Sequence, residues 1–405
     1  MERLRAGLAP LARRYDAVVA NPPYMGSSSL GRWMGSWVKK RYPEAYRDLC
    51  TAFIDRGFSL GAANGYSAMV TMQSWMFLGS FEKLRCRILG EHSVSSMAHL
   101  GTRAFGAIAG EVVSTAATVF ANAKSEVEGA YFRLVDMGSE AEKREGLLQA
   151  LADPDCGWFY RADARDFGAI PGSPVAYWAS DNFLSAFEEG ANLGIKGRPK
   201  IGIKTGLNES FVRNWWEVSS DRTALMCGSI SESKENGKTW FAYNKGGAFR
   251  KWYGNSQSVV LWENGGMTLE KKARAIGVTF SAMRADLQFR ESILCNLITS
   301  DQLSFRFKEK GILPDIATVN FFPEESTLTF LAFGNSTVCR EALSFLAPTL
   351  NNTPGDLSKI PWSFKLDRAI TASRIGCLCR SNIDTSKTDW DSRETSWNFE
   401  RHRLV

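Results

Sequence analysis

Tyr15-Asp16-Ala17-Val18-Val19-Ala20 followed by Asn21-Pro22-Pro23-Tyr24 joins a short apolar run to a proline-stiffened turn. A continuous apolar segment of this length, ended by turn formers, reads as a buried strand of a parallel sheet. Open α/β sheets bind ligands beyond the carboxyl ends of their strands, so Asn21 to Tyr24 lie where a site is expected. Working outward, residues 45–62 place Leu49, Phe53 and Phe58 near helical spacing, and the turn Gly61-Ala62-Ala63-Asn64-Gly65 follows. Residues 66–72 read as the next strand. Residues 75–89 read as a helix, through Phe77, Phe81, Leu84 and Ile88. Residues 94–100 and 112–121 have strand character. This alternation predicts an α/β fold, the second half of a doubly wound sheet.

The residues of the turn suit one kind of chemistry. An exocyclic amine conjugated to a base is a poor nucleophile, because its lone pair is delocalised into the ring. The side-chain oxygen of Asn21 and the backbone carbonyl of Pro22 can each accept one N–H, which favours a pyramidal nitrogen with a localised pair. Tyr24 supplies an aromatic face for a base flipped out of a duplex. Pro22 and Pro23 each fix φ near about −65° and push the preceding residue toward extended geometry, so Asn21 is aimed with little entropy left to lose. These residues together predict amino-group methylation. A proline-rich surface turn is the bland alternative, and the same tetrapeptide also serves amide-nitrogen and RNA amino methyltransferases.

Composition sets the frame. A chain of 405 residues has room for two or three domains. With 44% hydrophobic and 23% charged residues it has the balance of a soluble globular protein. No apolar run of membrane-spanning length and no signal-peptide pattern occurs, so a cytoplasmic protein without a membrane partner is expected. The net charge of +6 favours an anionic partner modestly. The eight cysteines are scattered without a repeated CxxC spacing, and the three histidines, His92, His99 and His402, are dispersed. No metal site, disulfide framework or catalytic triad is expected.

From about residue 125 the pattern changes. A charged, helix-prone stretch covers residues 139–151, and segments dense in glycine and aromatics follow. Residues 196–266 interleave Trp215, Trp216, Trp240, Phe249 and Trp252 with Lys204, Arg213, Lys245, Arg250 and Lys251. That mixture suits nucleic acid, with cations holding phosphates and base edges giving specificity. Aromatics in strands also pack cores, and charges also simply face solvent. Lys204, Arg213, Lys245, Arg250 and Lys251 are the candidate contacts to double-stranded DNA.

Several strings carry a family resemblance: Asn21-Pro22-Pro23-Tyr24-Met25-Gly26, Gly110-Glu111-Val112-Val113, Lys204-Thr205-Gly206-Leu207-Asn208, Tyr243-Asn244-Lys245-Gly246-Gly247, Phe249-Arg250-Lys251-Trp252-Tyr253-Gly254 and Asp389-Trp390-Asp391-Ser392. In these the chain resembles the PglX family, the adenine-specific DNA methyltransferases of bacterial BREX phage defence, related to the fused type IIG restriction-modification methylases. The resemblance implies N6-adenine methylation of DNA with S-adenosylmethionine, and a class I methyltransferase sheet followed by a mixed α+β target-recognition domain. It implies that Asn21, Pro22, Pro23 and Tyr24 form the catalytic loop and that Phe105 is a candidate second wall for the flipped base. The expected division is 1–125 for the second half of the catalytic domain, 126–169 for a charged connector, 170–365 for target recognition and 366–405 for the start of a further region. Other BREX proteins, or a complementing methylase half, are implied as partners.

One departure from the family pattern bears on activity. Such methylases carry a glycine-rich cofactor loop and a following acidic residue before the Asn-Pro-Pro-Tyr loop. Residues 1–20 contain one glycine, Gly7, and one strand. The chain is therefore expected to be a fragment without the cofactor-binding half, inactive alone, with an exposed sheet edge. The alternatives are a piece of a type IIG restriction-modification enzyme, though no nuclease pattern is present, a glutamine or RNA amino methyltransferase, and a non-catalytic DNA-recognition or assembly subunit.

Overall fold

The computed structural model describes residues 10–105, 113–124, 127–299, 302–324, 326–346, 352–362 and 369–402, with backbone alone for 369–372. The chain divides into two compact units, Met1–Glu188 and Glu189–Val405.

The first unit is built on a mixed six-stranded sheet. Its strands are β1 (Tyr15–Ala20), β2 (Gly61–Met72), β3 (Ser93–Gly101), β4 (Thr115–Ala121), β5 (Gly129–Arg133) and β6 (Phe159–Ala162), in the order β1-β2-β4-β3-β5-β6. β1 runs parallel to β2, with Val18 opposite Ser67, whereas β4 inserts antiparallel between β2 and β3. Helices α1 (Arg32–Arg41) and α2 (Leu49–Leu60) connect β1 to β2, and α3 (Glu82–Glu91) connects β2 to β3. Asp48 caps α2 by accepting from the Cys50 N–H at 3.0 Å. Gly57 lets that helix lie close on the sheet, since a Cβ there would stand 2.4 Å from Ser67 Oγ. Ile54, Phe58, Trp75, Leu84, Ile88, Met97 and Phe120 are buried in one core against this face.

Alternation along β2 gives the sheet two different sides. Ser67, Met69 and Thr71 are buried, while Ala68 and Val70 point the other way and are half-buried. On that second side Val19, Val70, Ala98 and Val119 floor an apolar trough of about 380 Å³, with Leu147 and Leu151 of α4 (Glu140–Ala152) at one end.

Four features depart from the sequence reading. The turn at residues 61–65 is folded into β2 as an irregular bulge: Tyr15 faces Gly61, yet Ala17 faces Tyr66, and Asn64 takes φ +66°. The helix expected over 75–89 begins only at Glu82, because two short 3₁₀ turns, Gln73–Met76 and Gly79–Phe81, occupy its first half. β1 is exposed or half-buried rather than buried, since among the described strands it pairs only with β2. Residues 126–169, read as a connector, contribute β5, α4 and β6 to the same sheet. Alternating burial in β5 hides Tyr131 in the main core, and Ser139 caps α4 as the charged stretch suggested.

The second unit is mixed α+β. One sheet orders Thr223–Ala224, Trp240–Asn244, Ser258–Leu261 and Val212–Asn214, and Leu313–Pro314 also pairs with Trp240–Asn244. Another orders Phe305–Lys308, Ser292–Asn296, Thr318–Phe321 and Lys200–Ile201. Phe241, Tyr243, Val260, Trp262, Leu269 and Phe289 form its core, so many of the aromatics counted in the sequence pack inward. Residues 366–405 were set apart from the recognition domain. They join this unit through the helix Ala369–Asp391, which packs against Thr327–Gly334.

Candidate active site

The loop Asn21–Gly26 leaves the carboxyl end of β1. Pro22 is buried, whereas Asn21 and Pro23 are exposed and Tyr24 is half-buried. The Tyr24 hydroxyl lies 3.3 Å from Asn21 Oδ1 and 3.4 Å from the Val70 carbonyl, so it can donate to either. Burial pushes the Tyr24 pKa up to about 12, which keeps the proton on the phenol and the donor available. The tyrosine thus helps to orient the Asn21 amide oxygen.

The far side of the loop is tied to the start of α2. Met25 N–H donates to Asp48 Oδ1 at 3.3 Å, Leu49 N–H to the Met25 carbonyl at 2.9 Å, and Ser27 N–H to the Arg47 carbonyl at 2.9 Å. Asp48 therefore caps the helix and anchors the loop with one carboxylate, a link that no periodicity argument exposes.

Behind the loop, the carboxyl ends of β2 and β3 carry a polar network that the sequence reading missed. His99 is buried between the Tyr177 hydroxyl, 3.0 Å from Nδ1, and Gln73 Oε1, 2.8 Å from Nε2. Burial lowers its pKa to about 3, helped by Arg133 and Lys143, so the imidazole is neutral and serves as a hydrogen-bond bridge. Its signal in the sequence was weak: a lone histidine inside a strand. Phe105 is half-buried in the loop after β3. Gly110, Glu111 and Val112 lie outside the described residues.

The expected DNA contacts are all in the second unit, in differing states. Lys204 is exposed. Arg213 Nη1 donates to the Glu209 and Val212 carbonyls, and its guanidinium stands 5.9 Å from the Trp240 ring. Arg250 pairs with Asp389 at 2.5 Å and lies over Trp390. Lys245 and Lys251 are half-buried and form no ion pair among the described residues.

Among the described residues, neither a metal centre nor a cofactor cradle stands beside the loop. No cluster of three or more His, Cys, Asp or Glu residues among the described residues is placed to hold a metal. The trough beside β1 is lined by alanine, valine, leucine and a few hydroxyls. It offers no carboxylate for ribose hydroxyls, so it does not fit a nucleoside-bearing cofactor such as S-adenosylmethionine. No described helix is long and apolar enough to cross a membrane.

The Asn-Pro-Pro-Tyr loop sits at the carboxyl end of a sheet strand, and residues 10–105 match the Eco57I restriction-modification methylase family. More particularly, the chain resembles the PglX and BrxX adenine-specific methyltransferases. It is 37% identical over 408 residues to "Adenine-specific methyltransferase PglX" of Lacticaseibacillus casei (strain Zhang), covering 99% of this chain and 33% of that protein. It is 38% identical over 401 residues to "Adenine-specific methyltransferase BrxX" of Escherichia coli O9:H4 (strain HS), covering 98% of this chain and 31% of that protein. The chain spans about a third of the length of these curated relatives. Its fold is like that of the type IIL restriction-modification enzyme MmeI in complex with DNA, at TM-score 0.56 and 11% identity, over 95% of this chain and 50% of that one. It is also like a nuclease-deletion mutant of the type ISP enzyme LlaGI, at TM-score 0.50 and 12% identity, over 95% of this chain and 42% of that one.

Proposed function

We propose that this chain contributes the base-binding loop and the target-recognition unit of an N6-adenine DNA methyltransferase of BREX phage defence, working on double-stranded DNA in the bacterial cytoplasm. The observation that carries the reading is the Asn21–Tyr24 loop, with an exposed amide oxygen held beside a half-buried tyrosine at a sheet's carboxyl edge. Adenine stacks on Tyr24, and its N6 hydrogens go to Asn21 Oδ1 and the Pro22 carbonyl. The nitrogen is then pyramidal, with its lone pair exposed. The Tyr24 hydroxyl gives up Asn21 Oδ1 to the amine and keeps the Val70 carbonyl. S-adenosylmethionine is the methyl donor that the methylase resemblance implies. Its cradle is not built by the described residues, and this reading takes it from the rest of a longer chain or from a complementing methylase half. Phe105 is the proposed second wall of the base pocket, and Lys204, Lys245 and Lys251 are the proposed phosphate contacts. Arg213 and Arg250 support their loops from beneath.

Transfer of tritiated methyl groups to duplex DNA tests the reading, with the 405-residue chain supplied alongside a separately produced chain that bears the cofactor loop. Label at adenine N6 that disappears with Asn21→Ala, while duplex affinity stays, is the expected result. Unchanged label would remove Asn21 from the chemistry. A second reading, a recognition or assembly subunit without chemistry, predicts duplex binding that is indifferent to S-adenosylmethionine.

A further inference from the structure

The loop between strands Trp240–Asn244 and Ser258–Leu261 is rigid at its base and bare at its tip. Trp252 at φ +70° adopts a left-handed conformation that a bulky residue holds only when its surroundings impose it, and Asn255 at φ +60° shares that region. Those surroundings are on hand. The Trp252 N–H donates to the Phe305 carbonyl at 2.9 Å, and its own carbonyl accepts from Phe307 N–H at 2.8 Å. Asn255 Nδ2 donates to the Ala248 carbonyl at 2.9 Å, and Asn296 Nδ2 to the Gly247 carbonyl at 2.8 Å. A Cβ at position 247 would stand 3.0 Å from Asn255 Nδ2, so a side chain there would press on the Asn255 amide. Arg250 is fixed by Asp389 and by the Trp390 ring at 5.1 Å, and the Tyr253 hydroxyl donates to Glu309 at 3.0 Å.

What this scaffold presents is Phe249, 43% exposed, with Gly247 and Ala248 also exposed beside it. Lys245 and Lys251 flank it and are unpaired among the described residues. A single exposed phenylalanine is ordinary on a protein surface. One on a strained, many-times-tethered loop between two free cations is not, because rigidity and charge both serve to drive an apolar ring into a polyanion. We infer that Phe249 is a wedge that enters between stacked bases of a duplex while Lys245 and Lys251 neutralise the adjoining phosphates. The inference rests on the proposed DNA-binding reading and adds to it the residue that deforms the duplex. Arg250 is a positioning residue here, since its guanidinium is spent on Asp389 and Trp390.

A wedge prefers DNA whose stacking is already broken, and this preference can be measured without knowing the recognised sequence. Fluorescence anisotropy would compare the 405-residue chain on an intact mixed-sequence duplex and on the same duplex with a one-nucleotide gap. The wild-type chain should bind the gapped duplex about five- to tenfold more tightly, a part of the cost of unstacking one step. Phe249→Ala should bring the two duplexes to within about twofold of one another in affinity, while Phe249→Trp should retain the preference. A preference that persists in Phe249→Ala, or is absent in the wild type, overturns the wedge and leaves the DNA-binding reading standing. No salt-sensitive duplex binding by the folded wild-type chain would overturn both.

Discussion

The loops at Asn21–Tyr24 and at residues 245–255 are both preorganised, by opposite means. The first owes its stiffness to covalent geometry, with two adjacent prolines that restrict themselves and the residues before them. Its tertiary tethers are few: Asp48, the Met25 carbonyl and a long hydroxyl contact to Val70. The second has no proline and holds two non-glycine residues at positive φ. Its restraints come from Phe305, Asn296, Asp389 and Glu309, which lie far away in sequence. A loop stiffened by its own residues can be recognised in a sequence. A loop stiffened by its surroundings cannot.

The contrast can be broken most severely at Asn21. In the complemented methylase, Asn21→Ala should lower methyl transfer by about a hundredfold or more, the usual cost of removing one preorganised polar partner of the transition state, with duplex affinity unchanged. Quenched-flow methyl incorporation and anisotropy on the same preparation check both halves of the claim.

The scaffold beneath the first loop should respond to acid in a way the second does not. His99 is buried with a pKa lowered to about 3, against about 6.5 when unfolded. A depressed folded value means the unfolded chain takes up the proton first. Stability is therefore complete above about pH 6.5 and falls as the pH is lowered toward 3, by about 2 kcal/mol at pH 5. Gln in place of His99 should flatten this slope in urea titrations of the first unit. The second unit has no buried histidine among its described residues; its buried Lys308, with a pKa lowered to about 7 by burial, gives a pH dependence above neutrality instead.

A smaller effect separates tethering from local stiffness. Asp389→Ala leaves Arg250 unpaired over Trp390, which should cost the second unit about 1–2 kcal/mol of stability. It should also weaken the preference for gapped DNA in proportion to the freedom the loop gains. Denaturant melts and anisotropy on the variant read these two quantities, and a preference that survives would mean the Asp389 clamp does not hold the tip. The smallest expected change is Pro23→Ala. It restores backbone freedom to the first loop and should slow methyl transfer about two- to fivefold, the rate equivalent of the roughly 0.4–1 kcal/mol that a compatible proline is worth.

Much of the first unit was legible for the same reason as its loop. The run Tyr15–Ala20 needed no tertiary context to be a strand, and Ser139 followed by a charged, helix-prone stretch needed none to start a helix. The insertion of β4 between β2 and β3 was not legible, because residues 112–121 have the same strand pattern whichever neighbours they pair with. Nor was the bulge in β2. Gly61 to Gly65 carry a true turn signal, and only the pairing of Tyr15 and Ala17 on either side of it shows that the turn lies inside the strand. His99 was passed over because its buried bridge joins Gln73 to Tyr177, 26 positions before it and 78 after it in the chain.

Elements whose signal is local could be read without tertiary context: the strand and the proline-stiffened Asn21–Tyr24 turn, and the basic, aromatic character of residues 196–266. Tertiary structure alone decided which cations are free and which are spent, which aromatics are core and which stand at a surface, and where backbone is held at positive φ. The physical reason is that covalent restriction and periodicity are properties of neighbouring residues. Pairing, burial and strain are properties of residues brought together only by folding.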